Sequence, residues 1–226
     1  MAEPLAGKGA LVTGAARLRG IGRAIALRLA RDGADVVVCG LQRDPSTLPE
    51  AEQEQGWRGI EAVAEEIRAM GRRSLAAHCD IADKKQVEDM VERAVSKLGH
   101  LDILVNNAAL PSEAGVSPVL DMDDDNWYRT VDVNLNGLYL VTKAVGNAIR
   151  AGGRGGSIVN ISSAPRRVDL PDYGAYCATK WAMLGMTQQL AAYGPTSLGS
   201  PGSCHDGGFS DLEARLNRLE RQTKEF

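Results

Sequence analysis

The chain has 226 residues, 44% of them hydrophobic and 24% charged, with a formal net charge of −3, which is the usage of an ordinary globular domain. That charge leaves no basic field for nucleic acid, and no apolar run approaches the roughly 20 residues of a membrane-spanning helix. The opening Met1-Ala2-Glu3-Pro4 has no basic region followed by an apolar one, so a cytoplasmic protein is expected.

From Lys8 to about Tyr193, short β-branched runs alternate with longer helical stretches. This is the pattern of βαβ units around a parallel sheet. Strands are predicted at 9–13, 35–39, 74–79, 103–106 and 157–161, and their short apolar runs suit a sheet covered on both faces. Helices are predicted at 21–31, 60–70, 84–98, 125–150 and 173–193, with Gly33, Gly71 and Gly99 as stops. The expected fold is therefore α/β, a doubly wound parallel sheet in a Rossmann-like three-layer α/β/α domain over 1–193.

Two segments interrupt the rhythm. Residues 42–58 carry Pro45, Pro49 and six Glu or Gln residues, and read as an inserted surface loop. Residues 194–208 contain two prolines and five glycines, so neither strand nor helix is expected there. Beyond them Leu212, Leu216 and Leu219 fall at helical spacing, which predicts a short amphipathic helix over 211–225. The stretch 194–226 is set apart as a divergent C-terminal part.

The cysteines Cys39, Cys79, Cys177 and Cys204 form no C-x-x-C pair, and His78, His100 and His205 lack metal-ligand spacing. No metal site is expected. Cys39 and Cys79 read as small buried hydrophobes at strand ends.

The first strand runs into Gly14-Ala15-Ala16-Arg17-Leu18-Arg19-Gly20-Ile21-Gly22 and then directly into a helix. Strand, glycine turn and helix in that order cradle a pyrophosphate: glycines allow close backbone approach, and the helix N-terminus favours negative charge. Gly14, Arg19, Gly20, Ile21 and Gly22 are the candidate cofactor contacts. A carboxylate reading the ribose hydroxyls of NAD normally stands at the end of the second strand. Gly40 and Leu41 occupy that place here. With no acid there and Arg19 available for a 2′-phosphate, the sequence favours NADP(H) over NAD(H); the alternative is that Arg19 is a solvated loop charge.

Tyr176 and Lys180 stand four apart on a predicted helix and so share one face. A free phenol titrates near pH 10, and a close cation lowers that by roughly 1–3 units, which suits proton transfer. Ser162 and Ser163 follow the last predicted strand, where a hydroxyl reaches the crevice in which doubly wound sheets bind ligands.

Through the glycine turn, Asn106-Asn107-Ala108-Ala109, Asn134, Ser163, Tyr176 and Lys180, the chain resembles the short-chain dehydrogenase/reductase family over residues 5–193. The thirteen-residue spacing from Ser163 to Tyr176 matches that family and selects Ser163 over Ser162. The resemblance implies that Tyr176 exchanges the substrate proton, Ser163 bonds the substrate oxygen, and Lys180 holds the nicotinamide ribose while lowering the tyrosine pKa. It also implies that Asn134 anchors a water-borne proton relay, that Asp80 and Ile81 contact the adenine, and that Asn107 lines the cofactor. On residues alone, Asp80 could equally cap its turn and Asn134 satisfy backbone groups inside a helix.

The glycine turn is two residues longer than the family's usual one, and Ala109 replaces a usual glycine. Forty-six residues follow Lys180, too few for the family's usual sixth strand, Pro-Gly turn, substrate lid and seventh strand. Two functions follow: an NADP(H)-dependent oxidoreductase exchanging hydride with a small carbonyl or secondary alcohol, or a catalytically silent nucleotide-binding or oligomer-forming remnant. Related enzymes assemble through their long helices, so a homo-oligomer, dimer or tetramer, is implied.

Overall fold

A computed structural model describes residues 3–110, 117–163 and 172–197, with the side chains of Pro45 and residues 193–197 left aside. Among the described residues five parallel strands form one sheet in the order β3-β2-β1-β4-β5: β1 (Gly9–Thr13), β2 (Asp35–Gly40), β3 (Ser74–His78), β4 (Ile103–Asn106) and β5 (Ser157–Asn160). The helices are α1 (Ile21–Arg31), α2 (Glu50–Glu54), α3 (Ile60–Ala69), α4 (Lys84–Leu98), α5 (Asp124–Val131), α6 (Leu138–Gly152) and α7 (Gly174–Ser197). Every predicted strand and principal helix is present, within a few residues at each end.

The period-two geometry of a strand sends alternate side chains to opposite faces, and here both faces are dry. Ala10 and Val12 of β1 and Val36 and Val38 of β2 pack under α1 and α3 with Ile25, Val63 and Ile67. Leu11, Val37 and Cys39 face the other way, onto Met90, Leu98, Val141 and Ile149 of α4 and α6. That double burial explains why β1 and β2 read as continuous apolar runs. Cys39 and Cys79 are buried thiols at strand ends, as expected. Among the described residues β5 is the sheet's edge, all four of its residues half-exposed.

Three features differ from the expectations. The single predicted helix over 125–150 is α5 and α6 joined by a π-helical segment, Asp132–Gly137, a local widening whose cost is usually tied to a site. The predicted surface loop 42–58 contains a 3₁₀ turn, Pro45–Thr47, and the short helix α2. It is not merely surface, because Glu52 is only 4% exposed. Finally, α7 continues to Ser197, through residues 194–197 where proline and glycine argued against helix. The helix predicted over 211–225 lies outside the described residues.

At the amino-end edge of the sheet, Asp102 is buried and collects Lys8 Nζ (3.3 Å), Arg154 Nε (3.1 Å), His100 Nε2 (3.2 Å) and the Gly9 N–H (2.9 Å). Burial alone would push this carboxyl up; the Gly9 N–H, Arg154 and Lys8 outweigh it and hold it below the ordinary value. Its depressed folded pKa means stability that is present above the unfolded value near 3.9 and lost as pH falls through the folded pKa. Asp102→Asn is expected to cost about 3 kcal/mol at pH 7 by urea denaturation, and the gap from wild type to narrow below about pH 4.

Candidate active site

The strand order reverses between β1 and β4, and the loops leaving their carboxyl ends part there to open a crevice. Its floor is a hydrogen-bonded knot. The Thr13 hydroxyl accepts the N–H groups of Asn107 and Ala108 (3.0 Å each), while Asn107 Nδ2 donates to the carbonyls of Thr13 (2.9 Å) and Gly14 (3.0 Å). Asn107 therefore holds the glycine turn against β4. A Cβ on Gly14 would lie 2.6 Å from Ala108 Cα, and one on Gly22 would lie 2.6 Å from Asn107 Nδ2. Neither position tolerates a side chain, and Gly14 also has φ +70°, a conformation suited to glycine.

Gly20 is the N-cap of α1, with no side-chain cap and no acid in the helix's first turn. A crowded glycine turn feeding an uncapped N-terminus fits a dinucleotide pyrophosphate. Ile21 is 42% exposed beside it. Arg19 is exposed and makes no hydrogen bond or ion pair among the described residues. The turn's backbone groups are taken up by neighbouring elements: Ala15 N–H donates to Cys39 O (3.0 Å), Trp57 Nε1 donates to Ala16 O (2.7 Å), and Arg23 Nη1 of α1 donates to Leu18 O (3.2 Å).

At the end of β3 the Asp80 carboxylate accepts the Ala82 N–H (3.0 Å), so its side chain shapes its own turn. Ile81 is buried against the π segment, where a Cβ on Gly137 would meet its side chain at 2.8 Å.

The second half of the site is built where α7 docks on β5. Lys180 Nζ donates to Ile161 O (2.8 Å), the Ser162 hydroxyl donates to Lys180 O (3.4 Å), and Asn160 Nδ2 donates to Thr187 Oγ1 (2.9 Å). The same Asn160 accepts from Asn106 Nδ2 (2.8 Å), which also donates to Thr142 Oγ1 (3.0 Å). This chain of amides, on paired positions of β4 and β5, registers helix against sheet. Lys180 lies with its Nζ 5.5 Å from the centre of the Tyr176 ring, within cation–π range. Tyr173 packs edge-on against Tyr176, 6.4 Å between ring centres. Ser163 is half-buried one residue beyond Ser162.

Asn134, in the π segment, is 2% exposed. Its Oδ1 accepts the Leu110 N–H (2.7 Å), and its Nδ2 donates to Leu110 O (3.3 Å) and Thr179 Oγ1 (3.4 Å). Thr179 in turn donates to Tyr176 O (2.9 Å). Asn134 thus braces the tyrosine helix and the strand-four loop together.

Sequence reasoning gave no role to Thr13, Asn160, Thr179 and Glu52, and quoted Asn106 only within its motif. Asn160 could have been noticed, since, like Asn106, it ends an otherwise apolar strand. Thr179 and Glu52 carried no signal, because their roles exist only across the fold.

Burial pushes the Lys180 ammonium down from its usual 10.5 to about 8. A lysine whose folded pKa lies below its unfolded value penalises folding fully below pH 8, and the penalty is relieved as pH rises toward 10.5. In urea denaturation of the cofactor-free protein, wild type is expected to gain on Lys180→Met as pH rises above 8, by at most roughly 3 kcal/mol. A difference that is flat across that range would show that Lys180 titrates normally.

Known proteins share this sequence pattern and fold. The family model for short chain dehydrogenase matches residues 8–196. The chain is 35% identical to a (−)-trans-carveol dehydrogenase from Rhodococcus erythropolis, over 97% of this chain and 81% of that protein. Among solved structures it is similar to a carveol dehydrogenase from Mycobacterium avium in complex with NAD (TM-score 0.72, 32% identity, 84% of this chain and 66% of that one). It is also similar to a short chain dehydrogenase from Burkholderia cenocepacia in complex with NADP (TM-score 0.70, 38% identity, 86% and 71%).

Proposed function

Because this chain belongs to the short-chain dehydrogenase/reductase family and is an NAD(P)-dependent oxidoreductase, we propose that Tyr176 exchanges the proton while hydride passes between an NADP(H) cofactor and a small carbonyl or secondary alcohol. The observation that carries this reading is the placement of buried Lys180 beside the Tyr176 ring, at the end of β5.

The cofactor, when bound, supplies or accepts the hydride. Everything else falls to the chain. The Gly14–Gly22 turn and the α1 N-terminus receive the pyrophosphate, with Asn107 fixing the turn. Asp80 and Ile81 border the adenine. Ser163 donates to the substrate oxygen and orients it toward Tyr176. In the reduction direction Tyr176 gives its proton to that oxygen as the carbonyl carbon is reduced, and in the oxidation direction it takes the proton back. The Lys180 cation stabilises the phenolate left behind and binds the nicotinamide ribose. Asn134, held rigid by Leu110 and Thr179, anchors the relay that returns the proton from water.

The preference for NADP(H) rests on Arg19, exposed and unpaired beside Gly20, together with the absence of an acid at Gly40. The free thiols of Cys39, Cys79 and Cys177 suit a reducing compartment, and the cytoplasm is the proposed setting. Tyr128, Tyr139 and Trp181, exposed on α5, α6 and α7, supply apolar surface for a homo-oligomer.

Oxidation of NADPH with a panel of small ketones tests the reading. Tyr176→Phe is expected to lower kcat by about a thousandfold while leaving NADPH affinity, followed by nicotinamide fluorescence, within about twofold of wild type. Dinucleotide binding with no turnover on any carbonyl or alcohol would instead identify a silent nucleotide-binding remnant. Arg19→Ala is expected to reduce the preference for NADPH over NADH by roughly fivefold; an unchanged ratio of dissociation constants would remove Arg19 from cofactor selection.

A further inference from the structure

The glycine turn carries two arginines, and the fold treats them differently. Arg19 is exposed and unpaired, whereas Arg17 is held: its Nε donates to Glu52 Oε1 at 3.1 Å. The same oxygen accepts the Leu18 N–H at 3.0 Å. Glu52 comes from α2, within the 42–58 insertion, and is 4% exposed. Its other oxygen, Oε2, is buried with no hydrogen-bond partner among the described residues. Such an arrangement is costly for a carboxylate, so the insertion does not merely cover the turn.

The location gives the carboxylate a role. A Cβ on Gly40 would touch Ala16 Cβ at 3.1 Å, so the turn immediately before Arg17 abuts the end of β2, where doubly wound folds read the ribose 2′ position. Next to Ala16 on the turn, Arg17 and the Leu18 N–H are held by a carboxylate delivered from the insertion. Water barely reaches Glu52, so its charge is screened less than that of a surface acid. Arg17 is about half exposed, 49% at the side chain, and is the charge that Glu52 cancels.

We propose that Glu52 is a specificity-determining residue, which by neutralising Arg17 limits how strongly the glycine turn favours a 2′-phosphorylated dinucleotide over its unphosphorylated counterpart. The proposal rests on the dinucleotide-binding reading above. With the pair intact, the turn offers the 2′ position one net positive charge, from Arg19. Without the Glu52 charge it offers two; without Arg17 it offers none, because the carboxylate then offsets Arg19.

Dissociation constants for NADPH and NADH, measured by nicotinamide fluorescence on the full chain, test this as a charge cycle. Glu52→Gln retains an acceptor for the Leu18 N–H and is expected to raise the preference for NADPH by about 3–5-fold. Arg17→Met, at a half-exposed position, is expected to lower that preference by a similar factor. The double variant is expected to return close to the wild-type ratio. Ratios that stay at the wild-type value in both single variants, with binding intact, would overturn the proposal while leaving the dinucleotide-binding reading in place. A double variant that keeps the ratio of either single variant would also overturn it, since the two charges would then not offset one another at the 2′ position. Wild type binding neither dinucleotide would defeat the underlying reading and this inference with it. Should Glu52→Gln unfold, as a lost thermal transition would reveal, the Arg17→Met ratio alone decides.

Discussion

The close approach of β1 to β4 at their carboxyl ends is the constraint on which the rest of the molecule depends. Two neighbouring parallel strands whose connections leave in opposite directions create an opening, but they also leave backbone groups that must be satisfied. Thr13 and Asn107 satisfy them with side chains. That solution admits no Cβ at Gly14 or Gly22, and it fixes the turn so that α1 begins with an uncapped N-terminus pointing into the crevice.

The opposite wall is held by a different economy of interactions. A lysine is placed where burial depresses its pKa and where its ammonium has a main-chain carbonyl and an aromatic face as neighbours rather than a carboxylate. A buried cation without an anion is unfavourable for folding, and α7 compensates through the Asn106–Asn160–Thr187 chain and through Thr179, which Asn134 reaches from the π segment. The widened helix and the amide chain make one mechanical unit that holds Tyr176 in place. Sites that need an unfavourable charge are commonly supported in this way, by order supplied from neighbouring elements.

The long glycine turn and the insertion at 42–58 make sense only together. Five residues between Gly14 and Gly20 would carry free backbone groups at the surface of the crevice. Trp57, Glu52 and Arg23 take up the groups of Ala16 and Leu18, and Trp57 is itself covered by Arg23, 5.4 Å from its ring centre. Lengthening in one loop is matched by lengthening in another, so the cradle keeps a defined shape despite its size.

Much of this was legible in the chain itself. Short continuous apolar runs gave the strands, glycines with positive φ ended the helices at Gly33, Gly71 and Gly99, and the four-residue spacing of Tyr176 and Lys180 put them on one helix face. These are local properties, set by backbone geometry and neighbouring residues, and a sequence carries local properties directly. The burial of Glu52, the lowered pKa of Lys180, the π segment around Asn134 and the continuation of α7 to Ser197 were decided by tertiary structure. Each depends on atoms brought together from distant parts of the chain, as with Glu52 and Leu18, 34 residues apart. Burial and electrostatic environment are sums over such neighbours, and no window of sequence contains them.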